Sequence, residues 1–134
     1  MDIKTYTEKG DVVVTVMHVD GNIDNSTYEA FQSRADELVD SGAHFILVDL
    51  SHVQFVSSAG MRALQHIYQR LRSRYPNSDI SDEDVKKGIR EGTYKSPFLK
   101  LLNPSKESAK TFEISGFDMF IEIFTDKDTA IASF

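Results

Sequence analysis

The chain has 134 residues, 40% of them hydrophobic and 27% charged, with a formal net charge of −6 and no cysteine. This length suits one domain with a core of ordinary size, and the missing cysteines exclude disulfides, thiolate metal sites and cysteine nucleophiles. The acidic balance argues against broad binding to nucleic acid or anionic lipid, since both need clustered Lys and Arg.

The start, "MDIKTYTEKGDVVVTV", has no basic segment followed by an apolar one, so no signal peptide is expected. The longest apolar run falls far short of the ~20 residues of a membrane span, which predicts a cytoplasmic protein without membrane insertion. Residues 3–8 alternate in polarity and 11–19 are rich in β-branched residues, with Lys9-Gly10 between them, which predicts a hairpin. Tyr28, Phe31, Ala35, Leu38 and Val39 then repeat at helical spacing. Ser26 with Glu29 has the spacing of a capping box, and Gly42 can end that helix. "HFILVDL" at 44–50 is a continuous apolar run, expected of a parallel strand covered on both faces. After the corner Ser57-Ser58-Ala59-Gly60, the stripe Met61, Leu64, Ile67, Tyr68 and Leu71 predicts a second helix ending before Pro76.

Residues 76–97 change character: they are polar, with two of the three prolines and few apolar anchors beyond Val85, Ile89 and Tyr94. They read as a solvated insertion holding a short helix from Ser81 through Arg90, stopped by Gly92. "FLKLL" at 98–102 reads as a strand, and Ser105 caps a helix closed by Gly116. "FIEIF" at 120–124 reads as a last strand, and Asp126 caps a short final helix. The sum is a single α/β domain over 1–134, with a mixed sheet of about five strands packed against about four helices. No internal repeat or low-complexity tract interrupts it.

Signs of chemistry are sparse. His18, His44, His52 and His66 fall in different predicted elements without a metal-ligand spacing. The phosphate-cradling and hydrolase motifs G-x-x-x-x-G-K-[ST], G-x-G-x-x-G and G-x-S-x-G are missing. Asp20, Asp24 and Asp49 are the carboxylates from which an acid–base pair would have to be assembled, and nothing beside them names a substrate. The expectation is a non-enzyme with no cofactor and no metal.

The serine corner has two readings. A serine at a helix start ordinarily caps it by accepting a free backbone N–H. The same free N–H groups and the positive end of the helix would also receive a phosphate on an exposed hydroxyl there. Such a phosphate adds about −1.5 to −2 units of charge, enough to turn a docking surface into a repelling one.

Four motifs in order carry a resemblance: Gly21-Asn22-Ile23-Asp24, "ILVDLSHVQFVSSAGMRAL" at 46–64, "LKLLNPS" at 99–105 and "FEISGFDMFIEIF" at 112–124. The chain resembles the STAS domain family, and within it the bacterial anti-sigma factor antagonists, along nearly its whole length, with 76–97 as an insertion. The resemblance implies a STAS-like fold and a binding module that sequesters an anti-sigma factor doubling as a serine kinase, so regulating sigma-factor-dependent transcription. It implies reversal by a serine phosphatase and no direct contact with nucleic acid. It makes Ser58, two residues before Gly60, the phosphoacceptor. Ser57 stands where the family usually has Asp, and is the alternative acceptor. Asp24 matches the family acid in the neighbouring loop. Ala59 is a tolerated small residue, Gly60 allows close packing, and Met61 replaces an apolar leucine. With Arg62 these residues form the expected partner surface. A non-switching STAS subunit of a transporter ATPase or a signalling scaffold is the alternative, and a small-ligand or nucleotide sensor a third.

Overall fold

The computed structural model describes residues 1–75, 81–92 and 94–134. The first part of the expected insertion, 76–80, and Thr93 therefore lie outside the described residues, as does the predicted stop at Pro76. β1 (Asp2–Lys9) and β2 (Val13–Asp20) form the expected hairpin, in antiparallel register from Asp2 opposite Asp20 to Lys9 opposite Val13. β3 (Phe45–His52) joins β2 in parallel, β4 (Leu99–Leu102) joins β3, and β5 (Glu122–Phe124) joins β4. The spatial order is β1-β2-β3-β4-β5.

The helices are α1 (Tyr28–Asp40), α2 (Ser58–Arg74), α3 (Asp82–Glu91), α4 (Lys106–Ser115) and α5 (Lys127–Ala132), with a 3₁₀ turn at Phe117–Met119. A sheet that always advances in one direction, with right-handed crossovers, sends α1, α2 and α4 to the same face. The larger core lies there: Phe31, Ala35 and Val39 of α1, Leu64 and Ile67 of α2 and Phe112 of α4 meet Met17, Ile46, Val48 and Leu101 of the strands. Alternate strand residues Val14, Val16, Leu47 and Leu102 point the other way, onto Ala130 and Ile131 of α5. The loops that follow β2, β3 and β4 consequently gather at one end of the sheet.

Local signals held where a cap or a periodicity carried them. Ser81, Ser105 and Asp126 accept from Asp84 N, Ser108 N and Thr129 N, and Gly92 and Gly116 close their helices with φ of +74° and +77°. Two details differ. The residue at the start of α1 is Thr27, not Ser26, and its side chain makes no cap bond; Ser26 is instead bound to Asp24 through both its N–H and its hydroxyl. The last strand is shorter than predicted, because Phe120 ends the 3₁₀ turn and Ile121 is driven inward to full burial.

His44 precedes β3 and is sandwiched between rings, with centroids 3.7 Å from Tyr75 and 4.2 Å from Phe45. Its Nε2 is buried without a hydrogen-bond partner among the described residues, and burial lowers its pKa below the ordinary 6.5. The unfolded chain takes up this proton as pH falls through 6.5 while the folded chain does not, so stability drops on acidification. His44→Phe keeps the stack and removes the proton. In urea unfolding at pH 7.5 and 5.5 it is expected to lose less stability across that interval than the parent, and equal losses would refute the assignment.

Candidate functional site

Two loops are laced together at the C-terminal ends of β2 and β3. Gly21 N donates to His52 O at 3.2 Å, Ile23 N to Phe55 O at 3.1 Å, and Ser57 N to Ile23 O at 2.9 Å. Ile23 and Val56 form an isolated parallel bridge, and Phe55 N donates to Asn22 Oδ1 at 3.0 Å. Ile23, Val53 and Val56 are buried, which anchors both loops from below. The lacing sets the Asp24 loop beside the serine corner.

Asp24 is fixed by its own loop. Its Oδ1 accepts from Ser26 Oγ at 2.7 Å, from Ser26 N at 2.9 Å and from Thr27 Oγ1 at 3.2 Å. The Ser26 hydroxyl first, and then the Ser26 N–H, holds the carboxyl below the usual 3.8. It is therefore ionised at neutral pH, on the loop laced to the corner.

The corner divides its two hydroxyls between different tasks. Ser57 is the N-cap of α2, with extended backbone (φ −80°, ψ 177°) and a side chain that accepts from Gly60 N at 3.3 Å. Ser58, the first helical residue, is exposed, and its hydroxyl makes no hydrogen bond to any described residue. No acidic side chain stands in the first turn of α2, where the helix presents free N–H groups and its positive end. Ala59 and Gly60 are buried; Ser57 and Met61 are half-buried; Arg62 is exposed. The accessible part of the predicted surface is thus Ser58 and Arg62, bordered by Ser57, Met61 and Asp24, with Phe55 43% exposed on the loop leading in. The β4–α4 loop supports this region, since Ser105 Oγ donates to Gln54 O at 2.8 Å while also capping α4.

The remaining candidates fall elsewhere. Asp24 and Asp49 hold separate partners and do not form a pair, and Asp20 is exposed. The histidines are less scattered than the sequence suggests: His18 Nδ1 lies 2.9 Å from Asp49 Oδ2 and His18 Nε2 lies 3.0 Å from His52 Nδ1. Only the parallel register of β2 on β3, which sets His18 opposite Asp49, makes this cluster. Among the described residues no three or more His, Cys, Asp or Glu are placed to hold a metal, and no helix is long and apolar enough to cross a membrane.

Residues 4–75 match the family model of the STAS domain. The chain therefore belongs to the STAS domain family. Comparison with curated proteins gives no match. Among solved structures, an anti-sigma factor antagonist from Mycobacterium paratuberculosis aligns with a TM-score of 0.69 at 21% identity, over 98% of this chain and 93% of that one. The Bacillus cell fate determinant SpoIIAA in its phosphorylated form aligns with a TM-score of 0.62 at 17% identity, over 97% and 96%. SpoIIAA in its unphosphorylated form, an anti-sigma factor antagonist, aligns with a TM-score of 0.60 at 14% identity, over 96% and 93%. At these identities the likeness is one of fold: a five-stranded mixed sheet with its helices, similar to SpoIIAA.

Proposed function

We propose that this protein is an anti-sigma factor antagonist whose binding is switched at Ser58. One observation carries the reading: of the two corner serines, Ser57 uses its hydroxyl to cap α2, and Ser58 leaves its hydroxyl exposed and, among the described residues, unbonded. Unmodified, Ser58, Arg62, Met61 and the Asp24 loop bind an anti-sigma factor that is also a serine kinase. The Ser58 oxygen attacks the γ-phosphorus of ATP, an O–P bond forms, ADP leaves, and the hydroxyl proton passes to a base of the kinase. The added charge of about −1.5 to −2 stands beside the fixed Asp24 carboxylate and weakens the complex. A serine phosphatase restores the hydroxyl. This chain is a substrate and contributes no catalytic group.

Intact-mass analysis after incubation with ATP and an anti-sigma serine kinase of the same organism tests the reading. One phosphate is expected on the parent and on Ser57→Ala, and none on Ser58→Ala. Ser57→Ala also removes a cap, so it is expected to be less stable by about 1 kcal/mol. A phosphate lost only in Ser57→Ala would move the acceptor by one residue. A folded protein that binds the kinase yet takes no phosphate would leave an unswitched antagonist. The second reading, a non-switching subunit of a transporter ATPase or a scaffold, is favoured by Ser57 standing where the family has Asp; co-purification with such an ATPase would support it.

A further inference from the structure

Helix α2 is basic in an acidic protein. It holds Arg62, Arg70, Arg72 and Arg74 and no Asp or Glu, in a chain of net charge −6. On the flank turned to α1 the charges are matched: His66 Nε2 lies 3.0 Å from Asp36 Oδ1, and Arg70 pairs with Asp36 and Asp40. The outer flank differs. Ser58, Arg62, Gln65 and Gln69 are exposed at alternating steps of four and three residues, which sets them in one row along the helix. Among the described residues the side chains of Arg62, Gln65 and Gln69 make no ion pair and no hydrogen bond.

The row runs into α3. Tyr68, Gln69 and Arg72 face Val85, Lys86 and Ile89 across a groove, and Tyr68 and Val85 are each only 4% exposed. Tyr94 ties the two sides together, since Tyr68 Oη donates to Tyr94 Oη at 3.3 Å and Tyr94 N to Gly88 O at 3.1 Å. At about 100° per residue, Lys86 falls on the α2 side of Val85 and Ile89, and Asp84 on the other. Lys86 is exposed and makes no ion pair among the described residues. One free cation thus stands near each end of the row, with two amides between them that donate to carboxylates.

We propose that this row and the groove at its end are a docking track for a short acidic segment of the protein partner, with α3 supplying the far contact. The partner's identity rests on the antagonist reading above; the surface does not. Charge complementarity selects the occupant. A local positive row inside a negative overall field admits a few carboxylates and disfavours a long polyanion, which meets the whole field. From Ser58 to Gln69 the row is about 16 Å long, the reach of about five residues of extended chain. Carboxylates pair with Arg62 and Lys86, and an apolar side chain beside the second rests on Tyr68 and Val85.

The test is calorimetry of the unphosphorylated full chain with an anti-sigma serine kinase of the same organism, at low and high salt. Arg62→Glu and Lys86→Glu are each expected to weaken binding at least tenfold and to reduce its salt dependence. Lys4→Glu, the same charge change on the exposed edge of β1, is expected to stay within about threefold. Lys86→Glu no weaker than Lys4→Glu would overturn the part given to α3. The track is read separately by nuclear magnetic resonance, titrating the nitrogen-labelled chain with acetyl-Glu-Glu-Leu-Glu-Glu-amide. Shifts are expected at Arg62, Gln65, Gln69 and Lys86, and none with the peptide that has lysine for each glutamate. No shifts, or shifts elsewhere, would overturn the track. Equal shifts with a uridine hexanucleotide would make it a general polyanion patch and overturn the assignment to a protein segment. A parent chain that takes the peptide yet binds no such kinase would remove the antagonist reading and leave the track standing.

Discussion

Replacing Gly60 with alanine is expected to destabilise the protein by about 2–3 kcal/mol and to loosen its hold on any partner at the serine corner. An added Cβ would sit 2.5 Å from Ile23 O, 2.8 Å from Val56 Cγ1 and 3.0 Å from Ile23 Cγ2. The first of these is backbone and the others belong to buried, β-branched side chains, so no flexible tip can swing aside. In a helix without such neighbours, alanine would instead gain about 0.8–1 kcal/mol over glycine. The clash must exceed that gain, and it falls on the carbonyl that accepts from Ser57 N. Pushing Ile23 away therefore separates the Asp24 loop from the start of α2. Urea unfolding gives the stability change, and partner affinity measured well below the midpoint gives the rest. A more stable Gly60→Ala would mean that α2 does not approach Ile23 so closely.

Lys100→Ala is expected to cost a further kind of stability, about 2–4 kcal/mol, concentrated at the C-terminus. Lys100 is only 3% exposed, on the β4 face that α5 covers. Its Nζ donates to Ser133 O and Ser133 Oγ, each at 2.9 Å, and lies 3.5 Å from Glu122 Oε1. It also stands 4.8 Å from the centre of the Phe134 ring and 5.7 Å from that of Phe124. One buried cation thus fastens the last turn of the chain to the sheet. Removing it leaves Ser133 O without that donor and a space beneath two aromatic rings. Hydrogen exchange should show residues 127–134 losing protection before the helices of the larger core. Uniform loss across the protein would indicate a general packing defect instead.

The elements that the sequence made legible are those whose signals are local. Caps such as Ser81, Ser105 and Asp126 and glycines such as Gly116 act within a turn of where they stand, so the helix ends could be read directly. The corner was legible for the same reason, down to two competing serines. Their division of labour was not, since which hydroxyl caps depends on the backbone angles of one residue. Ser26 misled because its N–H and hydroxyl both donate to the Asp24 carboxylate two residues back, so the hydroxyl is drawn away from the helix N–H groups it would have accepted from. The His18–Asp49–His52 cluster was hidden by distance: its members are 31 and 34 positions from His18 and meet only through strand register. Lys100 carried no signal either, because a lysine in "FLKLL" reads as an edge or surface residue until α5 is laid over it.

The strand order in space repeats the order in the chain. Each strand therefore finds its pairing edge already laid down by the strand before it, and none has to be inserted between two others. A chain emerging from the ribosome can build this sheet in one direction, without unmaking anything. The hydrogen bonds that lace the Asp24 loop to the serine corner all lie within residues 1–74, and form once α2 has closed on the first three strands. The β4–α4 loop then adds its support from the side, through Ser105 Oγ on Gln54 O.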